Sequence, residues 1–546
     1  MCYAHNYIIA SMGKIFGIDL GTTYSCIAYV DEYGKPVTVP NQENSPVTPS
    51  VVFFENAENF SVGQVAKEAL GSDPELVCSA VKRQMGTRDF SFSANGQEYQ
   101  PETVSALILK KLANDASLVL GEEVRDVVIT CPAYFGLDAR EATKKAGEIA
   151  GLNVLAILQE PTAAAISYGM KAEGEQTIMV YDLGGGTFDV TIISVKPGVI
   201  EVAATGGDHH LGGKDWDEVI TNYIVDQYCS ATGESADSIL EDSIKLGDLE
   251  LKSETAKKQL SQRDATSIRF EGERVNLSRE QFNTLTAGLL QSTIDKTRDT
   301  MADAAKKGVT HVDKILLVGG STKMPQIKER LAMEFPTTPI EVHEPDESVA
   351  KGAAIFGTNI AEWEKFTKGG YKPGEGGDGG PRPGGPRIGE GPAQPMEIRN
   401  VVSKSYGIRF VDDNDVPHVY NQIFKQASIP LEMSIGARTV ADNQSKVFIE
   451  LFENDYKEDQ TPENIVPDDD NTPLVSDYLQ PLPPNLPKNS PISIIIKING
   501  EGFMSIDAKD DTGGRTVHME VQLQHVMTEE MLNEAIGQVQ GMRMRD

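Results

Sequence analysis

The sequence is short of positive charge. Its 546 residues carry 50 Lys and Arg against 81 Asp and Glu, a net charge of −31. That balance argues against nucleic acid as a partner, because phosphate backbones need Lys and Arg. The excess charge mainly keeps a protein soluble, so any phosphate site must be locally basic. Cysteine is scarce as well. Cys2, Cys26, Cys78, Cys131 and Cys229 have no CxxC spacing, and none follows Cys229. That leaves no disulfide framework and no thiolate zinc site, and fits a reducing cytoplasm. No apolar run approaches the roughly 20 residues that cross a bilayer. Residues 1–12 lack a basic segment and make a poor signal peptide; Met12 is a candidate start. There is no Walker A loop and no GxGxxG fingerprint with an acidic partner. The nearest approach is Leu211-Gly-Gly-Lys214, where Asp215 stands in place of Ser or Thr.

Glycine, by contrast, is placed with purpose. In Ile178-Met-Val-Tyr-Asp-Leu-Gly-Gly-Gly-Thr-Phe-Asp-Val-Thr-Ile-Ile-Ser-Val195 an apolar run ends at Asp182. Gly184, Gly185, Gly186 and Thr187 follow, and Asp189 opens a second apolar run. The pattern predicts strand, tight turn, strand. Glycines there allow close approach to the backbone, free N–H groups can cradle an anion, and the carboxylates suit a hard cation. A ligand-free glycine hairpin fits one such copy equally well. A second copy exists, however. Ile15-Phe-Gly-Ile-Asp-Leu-Gly-Thr-Thr-Tyr24 and the β-rich run after it match Asp19 to Asp182 and Gly21 to Gly184. An internal repeat of this kind suggests two similar half-domains. Two such loops facing one cleft would hold a nucleoside triphosphate, with Asp19 and Asp182 facing Mg²⁺ through its waters and Thr22, Thr23 and Thr187 offering hydroxyls.

The surrounding text alternates strands and helices from Ile15 to about Trp363. Asp138 looks like a helix N-cap, Glu160-Pro161 like a helix start, and Asp346 like the cap of a helix through Ala361. Lys245–Leu260 and Ser278–Lys307 read as long polar-faced helices. Gly369–Pro395 is Gly- and Pro-rich and reads as an extended linker. Beyond Met396 alternation dominates, as in Ile492, Ile494, Ile496 and Ile498 before the Asn499-Gly500 turn. Glu458–Ser490, acidic and proline-rich, reads as a surface loop. One short helix, about Thr528–Gln540, closes the chain. The expected units are an extension 1–12, an α/β domain 13–366, a linker 367–395, a β domain 396–527 and a short helical end 528–546.

Taken together, Asp19-Leu-Gly-Thr-Thr-Tyr24, Asp182-Leu-Gly-Gly-Gly-Thr-Phe-Asp189, Gln159-Glu-Pro-Thr-Ala-Ala-Ala165 and Leu317-Val-Gly-Gly-Ser-Thr322 resemble the 70-kDa heat-shock protein chaperones. Val128-Ile-Thr-Cys-Pro-Ala-Tyr-Phe135, His210-Leu-Gly-Gly213 and Glu344-Pro-Asp-Glu347 agree, in the family's order. The resemblance implies an α/β, actin-like, two-lobed ATPase domain followed by a small β-sandwich that holds extended apolar peptide segments. It implies ATP and Mg²⁺ as cofactors, a J-domain co-chaperone and a nucleotide exchange factor as partners, a monomer, no membrane, and a stress-response role in the cytoplasm.

Position by position, it makes Gly21 to Tyr24 the first phosphate loop and Gly184 to Thr187 the second, with Gly212 and Gly213 beside it. Lys82 becomes the lysine near the γ-phosphate, and Glu160 the carboxylate that orients water or the metal shell. Glu254, Lys257, Lys258 and Ser261, at helical spacing, become one wall of the adenosine pocket. Gly319, Gly320, Ser321, Lys323 and Asp346 become the other. Pro132 and Arg140 become the relay of nucleotide state.

Several departures stand out. Lys258 and Lys323 replace usual arginines, and Lys214 replaces an acidic residue. The stretch from Lys82 to Pro132 is short, as in some bacterial forms. The connecting segment Pro395-Met-Glu-Ile-Arg-Asn-Val401 is less apolar than the family's and carries Arg399, which predicts weaker coupling between the domains. The helical lid is nearly absent, which predicts fast peptide release. Two other classes fit parts of this pattern: a nucleotide-gated regulatory module with one specific partner, and a sugar kinase or actin-like filament protein sharing the ATPase fold. A β domain that packs on the ATPase and binds nothing also fits.

Overall fold

In a computed structural model the described residues are 13–87, 90–169, 174–196, 198–368, 397–411, 417–458, 473–482, 484–511, 516–519, 523 and 526–545. The extension 1–12 and the Gly/Pro-rich segment 369–396 lie outside them.

Both copies of the glycine motif fold as antiparallel hairpins. Ile15–Asp19 pairs with Tyr24–Val30, and Gln176–Leu183 pairs with Phe188–Lys196, with Asp182 opposite Asp189. Each hairpin anchors its own sheet. In the first lobe, Asp126–Cys131 and Asn153–Gln159 extend the sheet in parallel from Ile15–Asp19. In the second lobe, Lys314–Val318 lies parallel to Gln176–Leu183. A buried cluster joins the two sheets beneath the cleft, with Val128, Ala163, Ile178, Val180, Leu316 and Ala353 among its members. Close helix approach makes this possible. A Cβ on Gly352 of helix Ser348–Lys368 would fall 1.8 Å from the Ala163 carbonyl oxygen, and one on Gly17 would fall 2.2 Å from that of Ala350.

The β-rich region is two four-stranded sheets. Pro417–Ile423, Ser405–Val411, Val447–Asn454 and Val475–Leu479 form one; Leu431–Arg438, Pro491–Ile498, Met504–Asp510 and Thr516–Met519 form the other. Ile492, Ile494, Ile496 and Ile498 all point into the shared core, as their alternation requires.

Four sequence expectations change. Glu458–Ser490 is not simply a loop, because Val475–Leu479 pairs with Val447–Leu451 and Leu474, Leu482 and Leu486 are buried; acidic and proline-rich flanks hid a short strand. Ser278–Lys307 is two helices, Arg279–Leu285 and Ala287–Lys306. They part at Thr286, whose hydroxyl donates to the Phe282 carbonyl at 2.8 Å. Helix Leu137–Ile149 starts after Gly136, with Asp138 in its first turn rather than at the cap. The last helix before the linker runs Ser348–Lys368, and the Asp346 carboxylate turns to Lys323 instead of capping it.

Two connections tie the β region down. Glu397–Val401 adds a parallel strand to the second lobe's sheet, pairing with Val199–Asp208. Backbone pairing and fully buried Val401 hold this segment, while Arg399 faces Glu397 at an exposed position. At the other end, helix Glu529–Gly541 packs on the first lobe. Leu532, Ala535, Val539 and Met542 join that lobe's core. Full burial of a Leu, Val or Met side chain is worth about 1.5–3 kcal/mol. Lys110 donates to the Val539 carbonyl and Lys145 to that of Met527, at 2.9 and 2.6 Å. Arg543–Met544 then pairs in parallel with Asn59–Val62. No helix among the described residues is long and apolar enough to cross a membrane.

Candidate active site

The two glycine loops meet across a cavity of about 820 Å³, within the size range of small-molecule sites. Their contact is complementary. A Cβ on Gly185 would fall 2.1 Å from Thr23 Oγ1, and one on Gly186 would fall 2.3 Å from Thr22 Cγ2. The threonines of one loop fill the room left by the glycines of the other. The Gly184 N–H is held by the Thr187 carbonyl at 3.0 Å, and the Gly21 N–H by Ser25 Oγ at 3.1 Å.

Lys82 stands at the floor, on the short turn Val81–Gln84. It is 5 % exposed and ion-paired with buried Glu160. Asp182 and Asp189 are buried nearby, and Asp19 is half-buried. Burial alone would lower the Lys82 pKa, but Glu160 and Asp19 outweigh it and hold the ammonium above its ordinary value. The acids pay for their own crowding. Burial, then Glu160, pushes Asp19 up to about 7. Burial followed by neighbouring carboxylates raises Asp182 and Asp189 well above the usual range. Four carboxylates around one ammonium leave the floor short of positive charge.

Among the described residues no three acidic, His or Cys side chains converge to hold a metal directly. The donor set instead suits a hydrated divalent cation. Asp189 Oδ1 and both amide atoms of Gln159 are buried without a hydrogen-bond partner, where buried polar atoms are normally paired. Mg²⁺ characteristically keeps several waters.

The far wall comes from helix Ser243–Gln262, which presents Glu254, Lys257, Lys258 and Ser261 on one face. Tyr24 donates to Glu254 at 2.9 Å and accepts from Lys67 and Lys258 at 2.9 and 2.8 Å. Both ammonium groups lie 4.8 Å from the Tyr24 ring centroid. Glu254 feels burial, which raises its pKa, yet Lys67 and Lys258 dominate and lower it to about 2. Lys257 donates to the Gly213 carbonyl and to Asp217, both at 2.7 Å. Opposite, Ser321 donates to the Gly184 carbonyl at 2.8 Å, and Lys323 pairs with Asp346.

The cavity wall therefore gathers Asp19, Gly21, Thr22, Thr23, Tyr24, Lys82, Glu160, Asp182, Gly184, Gly185, Thr187, the four helix residues, Gly319, Gly320, Ser321, Lys323 and Asp346. Gly186, Gly212 and Gly213 form the layer behind the second loop. A Cβ on Gly212 would fall 2.5 Å from the Gly186 carbonyl carbon, and one on Gly213 would fall 2.3 Å from Ser321 Oγ. Sequence reasoning missed Lys67, Arg83 and Asp217. Arg83 crosses the cleft to the Gly186 carbonyl at 2.8 Å and to Asp215 at 3.0 Å. Its only sequence signal was adjacency to Lys82.

Pro132 and Arg140 do not line the cavity; Arg140 lies at the seam with the β region. Arg140 donates to the Phe135 carbonyl at 2.9 Å and to that of Glu501 at 3.1 Å. Ser403 donates to Phe135 and Asn400 to Gly500, at 3.3 and 3.1 Å. Leu137 enters the β core.

This paired-loop cleft, with its lysine–glutamate floor and its docked β region, is matched along nearly the whole chain by one family model. The model of Hsp70 protein fits residues 15–94, 88–362 and 386–546. Members are ATP-binding chaperones, and the chain belongs to the Hsp70 protein family.

Proposed function

We propose that this protein hydrolyses Mg-ATP in the cleft and uses the cycle to control the binding of extended apolar peptide segments by its β domain. The observation that carries this is a continuous sheet. The Asp189-bearing strand neighbours Val199–Asp208, whose other neighbour is the linker strand Glu397–Val401. A shift of the second phosphate loop is thus two strands from the segment that docks the β domain.

In this reading the glycine loops cradle the phosphates through backbone N–H groups, and Glu254, Lys257, Lys258 and Ser261 face Ser321, Lys323 and Asp346 across the adenosine. Phosphoryl transfer needs positioning and charge neutralisation more than covalent chemistry. Lys82 places its ammonium at the terminal phosphate, and Glu160 keeps Lys82 in place and accepts from the attacking water. Thr187, Thr22 and Thr23 orient the phosphate oxygens. Mg²⁺, held through its waters by Asp19 and Asp182, would supply the remaining positive charge. Pro132 and Arg140 carry the state to the seam. The β domain offers main-chain pairing to an extended segment. Family membership motivates unfolded segments as substrates, a J-domain co-chaperone and an exchange factor as partners, a monomer, and a cytoplasmic place of action consistent with free Cys26, Cys78, Cys131 and Cys229.

The test is steady-state turnover with Mg²⁺, with Mg²⁺ omitted, and with a J-domain protein and unfolded peptide added. Stimulation by both additions supports the reading. Absent turnover overturns it. Turnover that responds to one folded partner and to no unfolded peptide would favour the nucleotide-gated regulatory module.

A further inference from the structure

Three consecutive carbonyls of the second phosphate loop are each held from outside it. The Gly184 carbonyl accepts from the Gly213 N–H at 2.9 Å and from Ser321, and the Gly185 carbonyl accepts from the Lys214 N–H at 2.8 Å. Those donors belong to the loop's own lobe. The Gly186 carbonyl differs: it accepts from Arg83 Nε, across the cleft, at 2.8 Å. The same guanidinium reaches Asp215 Oδ2 at 3.0 Å, the oxygen that also takes the Gly212 N–H at 2.6 Å. One half-buried side chain therefore ties the first lobe to the loop and to the start of helix Gly213–Thr232.

The turn that carries Arg83 is held firmly. Val81 and Met85, on either side of Lys82 and Arg83, are buried in the first lobe's core. Ala80 opens the turn at φ +56°, a left-handed conformation uncommon for a residue with a Cβ and kept only where the surroundings enforce it. Gly86 closes it against helix Leu137–Ile149, where a Cβ would fall 2.6 Å from the Ala139 nitrogen. Lys82 goes to the floor and the next residue, Arg83, to the loop. The peptide unit between Gly186 and Thr187 is planar and trans, so its carbonyl and its N–H point opposite ways. A donor that fixes the Gly186 carbonyl fixes the Thr187 N–H as well, and Thr187 lines the cavity.

We propose that Arg83 is a positioning residue for phosphoryl transfer: acting through the Gly186 carbonyl and Asp215, it aims the Thr187 N–H and sets its separation from the Lys82 ammonium. This rests on the nucleotide reading above and adds to it a residue whose effect falls on the chemical step more than on binding.

Single-turnover hydrolysis of Mg-ATP by the full chain tests it, beside calorimetric affinity for a non-hydrolysable β,γ-imido analogue. Arg83→Ala is expected to slow the chemical step about 10²-fold, the scale of an ångström misplacement at a reacting centre. Affinity for the analogue should change less than about threefold, because the loop's other contacts remain. Arg83→Lys, a point charge that cannot serve both acceptors of the fork, should restore only part of the rate. Asp215→Asn carries the test where Arg83→Ala does not fold. It keeps an oxygen for the Gly212 N–H but removes the ion pair, and should slow the step about tenfold while adding nothing in the Arg83→Ala background. An unchanged rate, or rate and affinity lost in equal proportion, overturns the inference and leaves the nucleotide reading intact. Failure of the wild-type protein to bind the analogue or to hydrolyse ATP overturns both.

Discussion

The cleft floor and the seam beside Arg140 both bury carboxylates, and they answer the cost differently. At the floor, Asp19, Glu160, Asp182 and Asp189 surround Lys82, and the remaining deficit is one that a hydrated divalent cation would fill. At the seam, half-buried Glu453 turns its enclosed Oε2 toward Gly136, where a Cβ would fall 2.5 Å from the carboxylate oxygens. Asp138 and Arg140 face it from helix Leu137–Ile149, Tyr406 and Lys404 from the neighbouring β segment, and Asp455 from its own strand end. Lys404 is paired with Asp455, so no cation is dedicated to Glu453. The floor is arranged to bind charge, whereas the seam is arranged to tolerate a proton.

The largest expected effect comes from the floor. Lys82→Met should leave nucleotide binding in place and abolish turnover, a loss of at least ~10²-fold for a group stabilising developing charge. Single-turnover measurements read it, and unchanged turnover would remove Lys82 from the mechanism. At the seam, Val401→Asp places an unpaired charge at a fully buried site, which costs several kcal/mol unless the segment leaves. The linker strand should then detach, and limited proteolysis at residues 397–401 should accelerate while the isolated ATPase reaction persists. Protection equal to wild type would show that docking does not depend on this strand.

A smaller effect distinguishes the seam by its titration. Burial, the largest cause, pushes Glu453 up to about 7 although Lys404 pulls it down. The docked state therefore binds its proton more tightly than the undocked state, where the group returns to the ordinary carboxylate range. Docking is strongest at low pH, weakens as pH rises toward 7, and is level above it. Glu453→Gln should hold docking near its acidic strength at all pH values. The same proteolysis assay at pH 5.5 and 7.5 reads the difference, and an unchanged pH response in the variant would place the titration elsewhere. Smallest of all, Arg399→Ala removes only the exposed pair with Glu397, worth about 0–1 kcal/mol. Docking should not change measurably. A large change would restore to Arg399 the influence that its sequence position suggested.

The two regions also differ in how far the chain announced them. The floor was legible because its chemistry is local: Asp19 and Asp182 precede glycine loops, and Glu160 opens a helix. Lys82 was an ordinary lysine in a polar stretch until the family resemblance gave it a role. The seam was scarcely legible. Gly136, Asn400, Gln426 and Glu453 supply contacts there, and they come from segments whose proximity depends on the fold. Gln426, for example, exchanges hydrogen bonds with the Thr205 backbone on the second lobe. The linker strand is held in a related way. Its side chains are less apolar than expected, but a parallel strand is held by backbone groups that every residue carries. The C-terminal helix was found by its pattern, but its berth on the first lobe depends on Lys110, Lys145 and the apolar residues of a helix pair.

The central claim is that the cleft and the β domain share one state. Release of a fluorescent, extended apolar peptide from the whole chain, followed on adding Mg-ATP, tests it most directly. The account predicts accelerated release in the wild-type protein and none of that acceleration in Val401→Asp. Release that is the same with and without ATP in the wild-type chain would contradict it.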